Sequence, residues 1–309
     1  MFDQKTIKRE VILRGHGLHT GRPVNLRILP SFPDSGIVFV RVDQGGHEIP
    51  ARRAFLETTR LSTTLSRNGI RVGTVEHLLA ALSGLGIDNA RVEIDGPEVP
   101  AGDGSASPFV AVLQEADLLR QRAHRRFLSV LRPIVVAEGE RKIALFPAND
   151  LRATYAIDFP GTPIGYQERE VRLTPQSFSE EIAPARTFCL YRDVEGMRRQ
   201  GLALGGSLDN AVVVGEDGIV AGRLRFPDEF VRHKILDLLG DLALLGHPLR
   251  GHVVAFKGGH RLHGALVDRV LRSPDAWVLG SGRESLPSHL LQRFESQKAG
   301  VLPGQPVSP

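Results

Sequence analysis

Three ionisable residues in the stretch "HKILDLLGD" recur at every fourth position: His233, Asp237 and Asp241. Residues four apart on a helix lie one above the other, so one imidazole and two carboxylates would share a stripe. Leu238 and Leu242, with Val231 and Ile235 before them, trace an apolar stripe of the same period. The polar stripe is either a solvated face or part of a metal site. Zinc takes His nitrogen and Asp or Glu oxygen, and a catalytic site uses three protein ligands and leaves a position for water. His233 and Asp237 have the bite for two of them, and "VEH" offers His77 as a third from the first turn of another helix. Glu76, beside it, points about 100° away. That direction suits a group reaching a water, and equally an ordinary acid stabilising a helix start. A leaving amine needs a proton, and His260 in "KGGH" sits after a strand on a glycine turn. A carboxylate beside it, such as Asp241, would keep it protonated. His16, His19, His247, His252 and His263 read as loop histidines without a role.

These groups need elements to hold them. "TVEHLLAALSGLG" predicts a helix capped by Thr74, with Val75, Leu78, Leu79 and Leu82 on one face and Gly86 at its end. "VILRGHGLHTGRPVNLRILP" predicts two strands about a turn, and "GIVFVRVD" and "NARVEID" predict two more. A Gly/Pro loop, "GPEVPAGDGSASP", then leads to a helix from about Phe109 to Arg120, and the basic stretch 120–126 reads as a boundary. The second half repeats strands before helices: "FLSVLRPIVVAEGE", "RKIALFPA" and "LRATYAIDF", then a short helix at 192–199, the strand "NAVVV", a helix from Asp228 to Leu245 and the strand "GHVVAF". Strands grouped before helices, twice over, predict an α+β fold.

Composition narrows the function classes. The chain has 309 residues, enough for two domains at the usual ~100–200 residues each. The lone cysteine, Cys189, excludes an internal disulfide and a four-cysteine metal cluster. The start has no apolar leader and no run of apolar residues is long enough to span a bilayer, so a cytoplasmic protein is expected. The charge of +4 suits an anionic ligand, but no aromatic residues interleave the basic ones as a base-stacking platform would need, so no nucleic-acid partner is expected.

Taken together, "TVEHLLAAL", "ARTF", "GGSLDNAVVV" and "FVRHKILDLLGDLALLGHPLRGHVVAFKGGH" resemble the UDP-3-O-acyl-N-acetylglucosamine deacetylase family of lipid A biosynthesis, in order from about Gly15 to His260. The resemblance implies a zinc amidohydrolase, with UDP-3-O-acyl-N-acetylglucosamine and water as reactants and acetate as a product. It implies Zn²⁺ on His77, His233 and Asp237, Glu76 as general base, and His260 as general acid or electrostatic partner, oriented by Asp241. Thr187 would stabilise the oxyanion, and Lys234, Phe188, Tyr191 and Val194 would contact substrate. The implied fold is α+β, with two similar domains, each a small β-sheet layered with helices, and the site in the cleft between them. The first, residues 1–123, would supply Glu76 and His77. The second, 124–284, would carry a βαβ insert at about 187–214 as an acyl passage, and 285–309 would be a mobile tail. A monomer is expected, with at most transient contact to a membrane surface. Cys189 stands where glycine is expected, and Arg261 and His263 where small or amide residues are, which leaves room for His263 as a secondary ligand. Competing readings are a deacetylase for another N-acetylated sugar nucleotide, a kinase-like phosphate cradle at "AGDGSAS" lacking the Gly-Lys-Ser/Thr such a loop needs, and an RNA-binding module resting only on arginine content.

Overall fold

The computed structural model describes residues 2–281, 285–287, 291 and 300–302. In the first half run β1 (Asp3–Ile7), β2 (Val11–His16), β3 (Pro23–Pro30), β4 (Ile37–Arg41), β5 (His47–Pro50), β6 (Leu56–Thr58), β7 (Thr64–Arg67), β8 (Ile70–Val72), α1 (Glu76–Gly84), β9 (Ala90–Ile94), α2 (Ser107–Glu115) and β10 (Leu118–His124). Strands β2-β3-β9-β4-β5 form one mixed sheet. Its strands alternate as a half-buried sheet must: Val24, Leu26 and Ile28 of β3 and Ala90, Val92 and Ile94 of β9 point into the core.

The second half contains β11 (Phe127–Val130), β12 (Ile134–Glu138), β13 (Arg141–Phe146), β14 (Leu151–Phe159), β15 (Gly165–Arg172), α3 (Pro175–Ser177), β16 (Phe188–Leu190), α4 (Tyr191–Arg199), β17 (Val212–Val214), α5 (Glu229–Leu242), β18 (Leu249–Phe256), α6 (His260–Leu271) and β19 (Trp277–Gly280). Strand β18 is central: it pairs β13 antiparallel, and β11 and β14 in parallel. It is buried along nearly its whole length, which explains the apolar run Val253–Phe256 that ends it. Strands β16 and β17 pair in parallel with α4 between them, so 188–214 forms a βαβ unit. Helix α5 ends where expected, its last turn tightening to 3₁₀ over Ala243–Leu245 before Gly246 at φ +75°.

Two expectations need correction. Helix α2 stops at Glu115, not Arg120, because Asp117 takes a left-handed φ of +56°. The basic stretch that follows is strand as far as His124, paired antiparallel with β1. Its strand period is carried by Arg120, Arg122 and His124 pointing outward, so no apolar alternation marked it. Thr74 does not cap α1; the helix has no side-chain cap, and Thr74 itself sits at φ +54° with its hydroxyl on Glu98. His260 follows β18 across the Gly258–Gly259 turn, as expected, and is also the first residue of α6. The mobile tail expected from 285 falls mostly on residues outside those described. Among the described ones, Leu286 N–H donates to Asn149 Oδ1 (2.8 Å) and Val301 is buried against Ala144, Phe146 and Val254. Among the described residues, no helix is long and apolar enough to cross a membrane.

Candidate active site

Helices α1 and α5 pack directly on one another, and a glycine sets how closely. A Cβ added at Gly240 would lie 2.1 Å from the Glu76 carbonyl oxygen, so only glycine admits this approach. The polar stripe of α5 is therefore buried, not solvated. His233, Asp237 and Asp241 are each 2% exposed.

The close approach brings His77 to the α5 stripe. His233 Nε2 lies 3.3 Å and His77 Nε2 3.6 Å from the same Asp237 oxygen, Oδ1. The three ligand atoms fall within 4.8 Å of one another, a spacing that one ion can bridge. His233 Nδ1–H donates to the Ala185 carbonyl at 3.0 Å, which fixes the ring and leaves Nε2 with its lone pair toward the others. Burial pushes the His233 pKa down to about 3, so the ring is neutral and able to ligate. Burial would raise Asp237, but His233, Lys234 (Nζ to Oδ2, 2.8 Å) and His260 outweigh it and hold the carboxyl well below its usual range. Two imidazoles and an ionised carboxylate converging in a buried site fit a divalent metal.

One turn along α5, Asp241 organises a second group. Its Oδ2 accepts from Nδ1 of both His260 and His263 at 2.8 Å, and Thr63 hydroxyl donates to Oδ1. Tyr155 hydroxyl donates to His263 Nε2 at 2.9 Å, so both nitrogens of that ring are committed. His263 is fully buried and lies within α6, so the expectation of a loop histidine is corrected. Burial opposes a charge on His260, but Asp241 and Asp237 outweigh it and raise its pKa to about 10. Burial likewise would raise Asp241, and the same imidazole pulls it to about 2. Glu76 shifts the other way: burial raises its pKa against the pull of His260 and His77. Its Oε2 accepts the Thr63 N–H at 2.9 Å.

Glu76, His77, His233, Asp237 and His260 open on one cleft of about 330 Å³, lined also by Thr187, Phe188 and Lys234, while Asp241, His263, Tyr155 and Thr63 lie behind it. Thr187 is placed by the "AGDGSAS" loop, since its N–H donates to Gly104 O at 2.8 Å. That loop is not a phosphate cradle: Asp103 sits in it, paired with Arg225 at 2.8 Å. Phe188 packs edge-on to Phe230 and Phe159, with Lys234 Nζ 5.5 Å from its ring. Tyr191 and Val194, on α4, do not line this cleft, and Tyr191 is 65% exposed. Arg261 lines it, while Cys189 lies beyond Phe188 on β16. Sequence reasoning missed Thr63, Tyr155, His263 and His19. His19 lines the cleft with Nδ1 accepting from Ala203 N–H and a buried Nε2 that has no partner among the described residues. A histidine in "GLHTG", inside a glycine-bounded turn, was the available signal.

Comparison with known proteins agrees along the chain. The family model described as UDP-3-O-acyl N-acetylglycosamine deacetylase matches residues 4–272. A UDP-3-O-acyl-N-acetylglucosamine deacetylase of Myxococcus xanthus is 46% identical over 308 residues, 99% of this chain and 98% of that protein. Those of Anaeromyxobacter sp. and Syntrophotalea carbinolica are 49% and 45% identical, covering 88% and 92% of this chain and 90% and 93% of theirs. The stripe on α5, the Glu–His pair on α1 and His260 all fall inside the matched span, and the chain belongs to the UDP-3-O-acyl-N-acetylglucosamine deacetylase family.

Proposed function

We propose that the chain removes the N-acetyl group of UDP-3-O-acyl-N-acetylglucosamine, releasing acetate, with Zn²⁺ held by His77, His233 and Asp237. The observation that carries this is the convergence of those three ligand atoms beside a buried Glu76 and a His260 held through Nδ1 by Asp241. Bound there, Zn²⁺ would polarise the acetamide carbonyl and acidify a water. Glu76, its pKa raised by burial, takes the proton from the attacking water; its Thr63 contact fixes the carboxylate's direction. His260 holds a proton on Nε2 because Asp241 binds Nδ1, and donates it to the leaving glucosamine nitrogen. Thr187 hydroxyl donates to the developing oxyanion. Lys234 neutralises Asp237 and faces the substrate beside Phe188.

Residues 1–123 and 124–284 act as two domains in this reading, the first lending Glu76 and His77 and the second the rest. The 187–214 unit guides the acyl chain past Tyr191 and Val194. In this reading the chain works as a monomer in the cytoplasm and touches a membrane surface only transiently. The test is acetate release by purified protein from UDP-3-O-acyl-N-acetylglucosamine, with metal analysis and a chelator. One zinc per chain and chelator-sensitive release are expected. Release only from another N-acetylated sugar nucleotide overturns the substrate assignment, and chelator-insensitive release overturns the metal. Glu76→Gln is expected to keep zinc and lose about 10²-fold or more in kcat.

A further inference from the structure

Glu98 has no part in the chemistry above, yet its carboxylate is 3% exposed and accepts four hydrogen bonds. Oε1 takes the His19 N–H and the Thr74 hydroxyl, each at 2.8 Å. Oε2 takes the Thr20 N–H at 2.8 Å and the Thr20 hydroxyl at 2.7 Å. Among the described residues no Lys or Arg pairs with it, so neutral donors alone offset the cost of burying its charge. Those donors come from two segments that reach the cleft: Leu18 and His19 line it, and Thr74 lies two residues before Glu76.

Thr74 supplies the second observation. A β-branched residue at φ +54° is a strained outlier, and such strain persists only where its surroundings impose it. Here the surroundings are the Glu98 segment. Gly73 N–H donates to Pro97 O at 2.8 Å and Val99 N–H to Gly73 O at 3.0 Å, so 97–99 runs alongside the entry to α1. The Gly17 side of the clamp is as tight, since a Cβ there would lie 2.2 Å from Glu98 Oε2.

We propose that Glu98 is a positioning residue for the reaction: it locks Thr74 in the left-handed conformation that aims Glu76 and His77, and it separately fixes the Gly17–Thr20 turn. The proposal rests on the reading that Glu76 and His77 act in the cleft. The two arms have different signatures. Loosening Thr74 misdirects the base and lowers kcat, whereas loosening the turn deforms the cleft wall and raises KM.

Glu98→Gln tests both arms. However the amide turns, its nitrogen meets a backbone N–H, of His19 or Thr20, that cannot rotate away. In metal-free protein, amide exchange at His19 and Thr20 is expected to quicken by about tenfold or more while distant core amides stay protected. In the zinc-loaded enzyme kcat is expected to fall about tenfold or more at unchanged zinc content, with KM raised severalfold. Adding Thr74→Gly, which takes positive φ without strain, should return kcat to within about threefold of wild type and leave KM and the fast exchange as they were. Thr74→Val keeps the strained β-branch and loses only the hydroxyl, so it should lower kcat without changing exchange in the turn. Glu98→Gln with wild-type kcat and exchange, or a double variant no faster than Glu98→Gln, overturns the proposal. Should Glu98→Gln not fold, Thr74→Val decides, and an unchanged kcat there overturns it. Absence of deacetylation by the wild type would instead count against the function, and the exchange comparison would still stand.

Discussion

Helix α5 carries two buried groups of the same composition one turn apart, two histidines and an aspartate in each, and they are built for opposite ends. In the first, His77 and His233 turn Nε2 toward a shared carboxylate oxygen, with His233 Nδ1 tied to Ala185 O. In the second, both rings spend Nδ1 on Asp241, and Tyr155 takes the remaining nitrogen of His263. Histidine and aspartate at ligand spacing therefore do not define a metal site. Which nitrogens are left without a protein partner does, and the surrounding carbonyls and hydroxyls decide that.

The largest expected difference between the groups is in metal. His77→Ala, His233→Ala and Asp237→Ala should each lose zinc and activity together, because two remaining donors make a poor site. His263→Ala and Asp241→Ala, if folded, should keep zinc. Metal analysis of the five variants after dialysis settles the contrast, and zinc lost equally from both sets would erase it.

Next in size is the contact that places both groups. Gly240→Ala puts a methyl 2.1 Å from the Glu76 carbonyl oxygen, so α1 and α5 must part. Overpacking of this kind costs about 1–3 kcal/mol or more. Gly196 in α4 has nothing within 4 Å of an added Cβ, so Gly196→Ala should be neutral or stabilising by up to about 1 kcal/mol. Urea denaturation of both reads the difference, and equal midpoints would show that α1 and α5 tolerate separation.

How much of this was legible in the sequence follows from what each signal depends on. Period alone gave α1, α5 and the alternating strands, because one face of each is apolar. It could not give β10, whose less exposed positions, Gln121 and Ala123, carry no large apolar side chain, nor Thr74, whose conformation is imposed by Glu98 from a distant turn. The stripe of His233, Asp237 and Asp241 was legible because it is local to one helix. His263, Tyr155 and Thr63 were not, because their roles arise from contacts 22, 108 and 178 residues apart in sequence. His260 was read from its residue type and from the resemblance, although its place as the first residue of α6 was not.

A smaller effect separates the groups by pH. His260 has its pKa raised to about 10, against the effect of burial, chiefly by Asp241. A step needing protonated His260 is therefore supported at neutral pH and lost as pH rises through that raised value. Asp241→Asn removes the main cause of the rise, so the alkaline limb of kcat should move to lower pH, with kcat at neutral pH down by roughly tenfold. The pH–rate profile checks this in zinc-replete enzyme. An alkaline limb in the same place would detach His260 from the proton transfer.

The smallest expected effect lies at the far edge of the second group. Tyr155→Phe removes the one donor to His263 Nε2 among the described residues, in a pocket where both side chains are fully buried. A buried acceptor left unsatisfied costs about 1–3 kcal/mol, and that should appear as a lower urea midpoint with unchanged m-value. Nδ1 of His263 still has Asp241 to donate to, so the tautomer does not need Tyr155, and Asp241 keeps its grip on His260. Zinc content and the pH–rate profile should therefore match wild type, with kcat changed less than about threefold, well short of the loss of a proton donor. If the alkaline limb instead shifts as far as in Asp241→Asn, the hydroxyl controls the acid through His263, and the second group extends one residue deeper into the sheet than its hydrogen bonds to Asp241 imply.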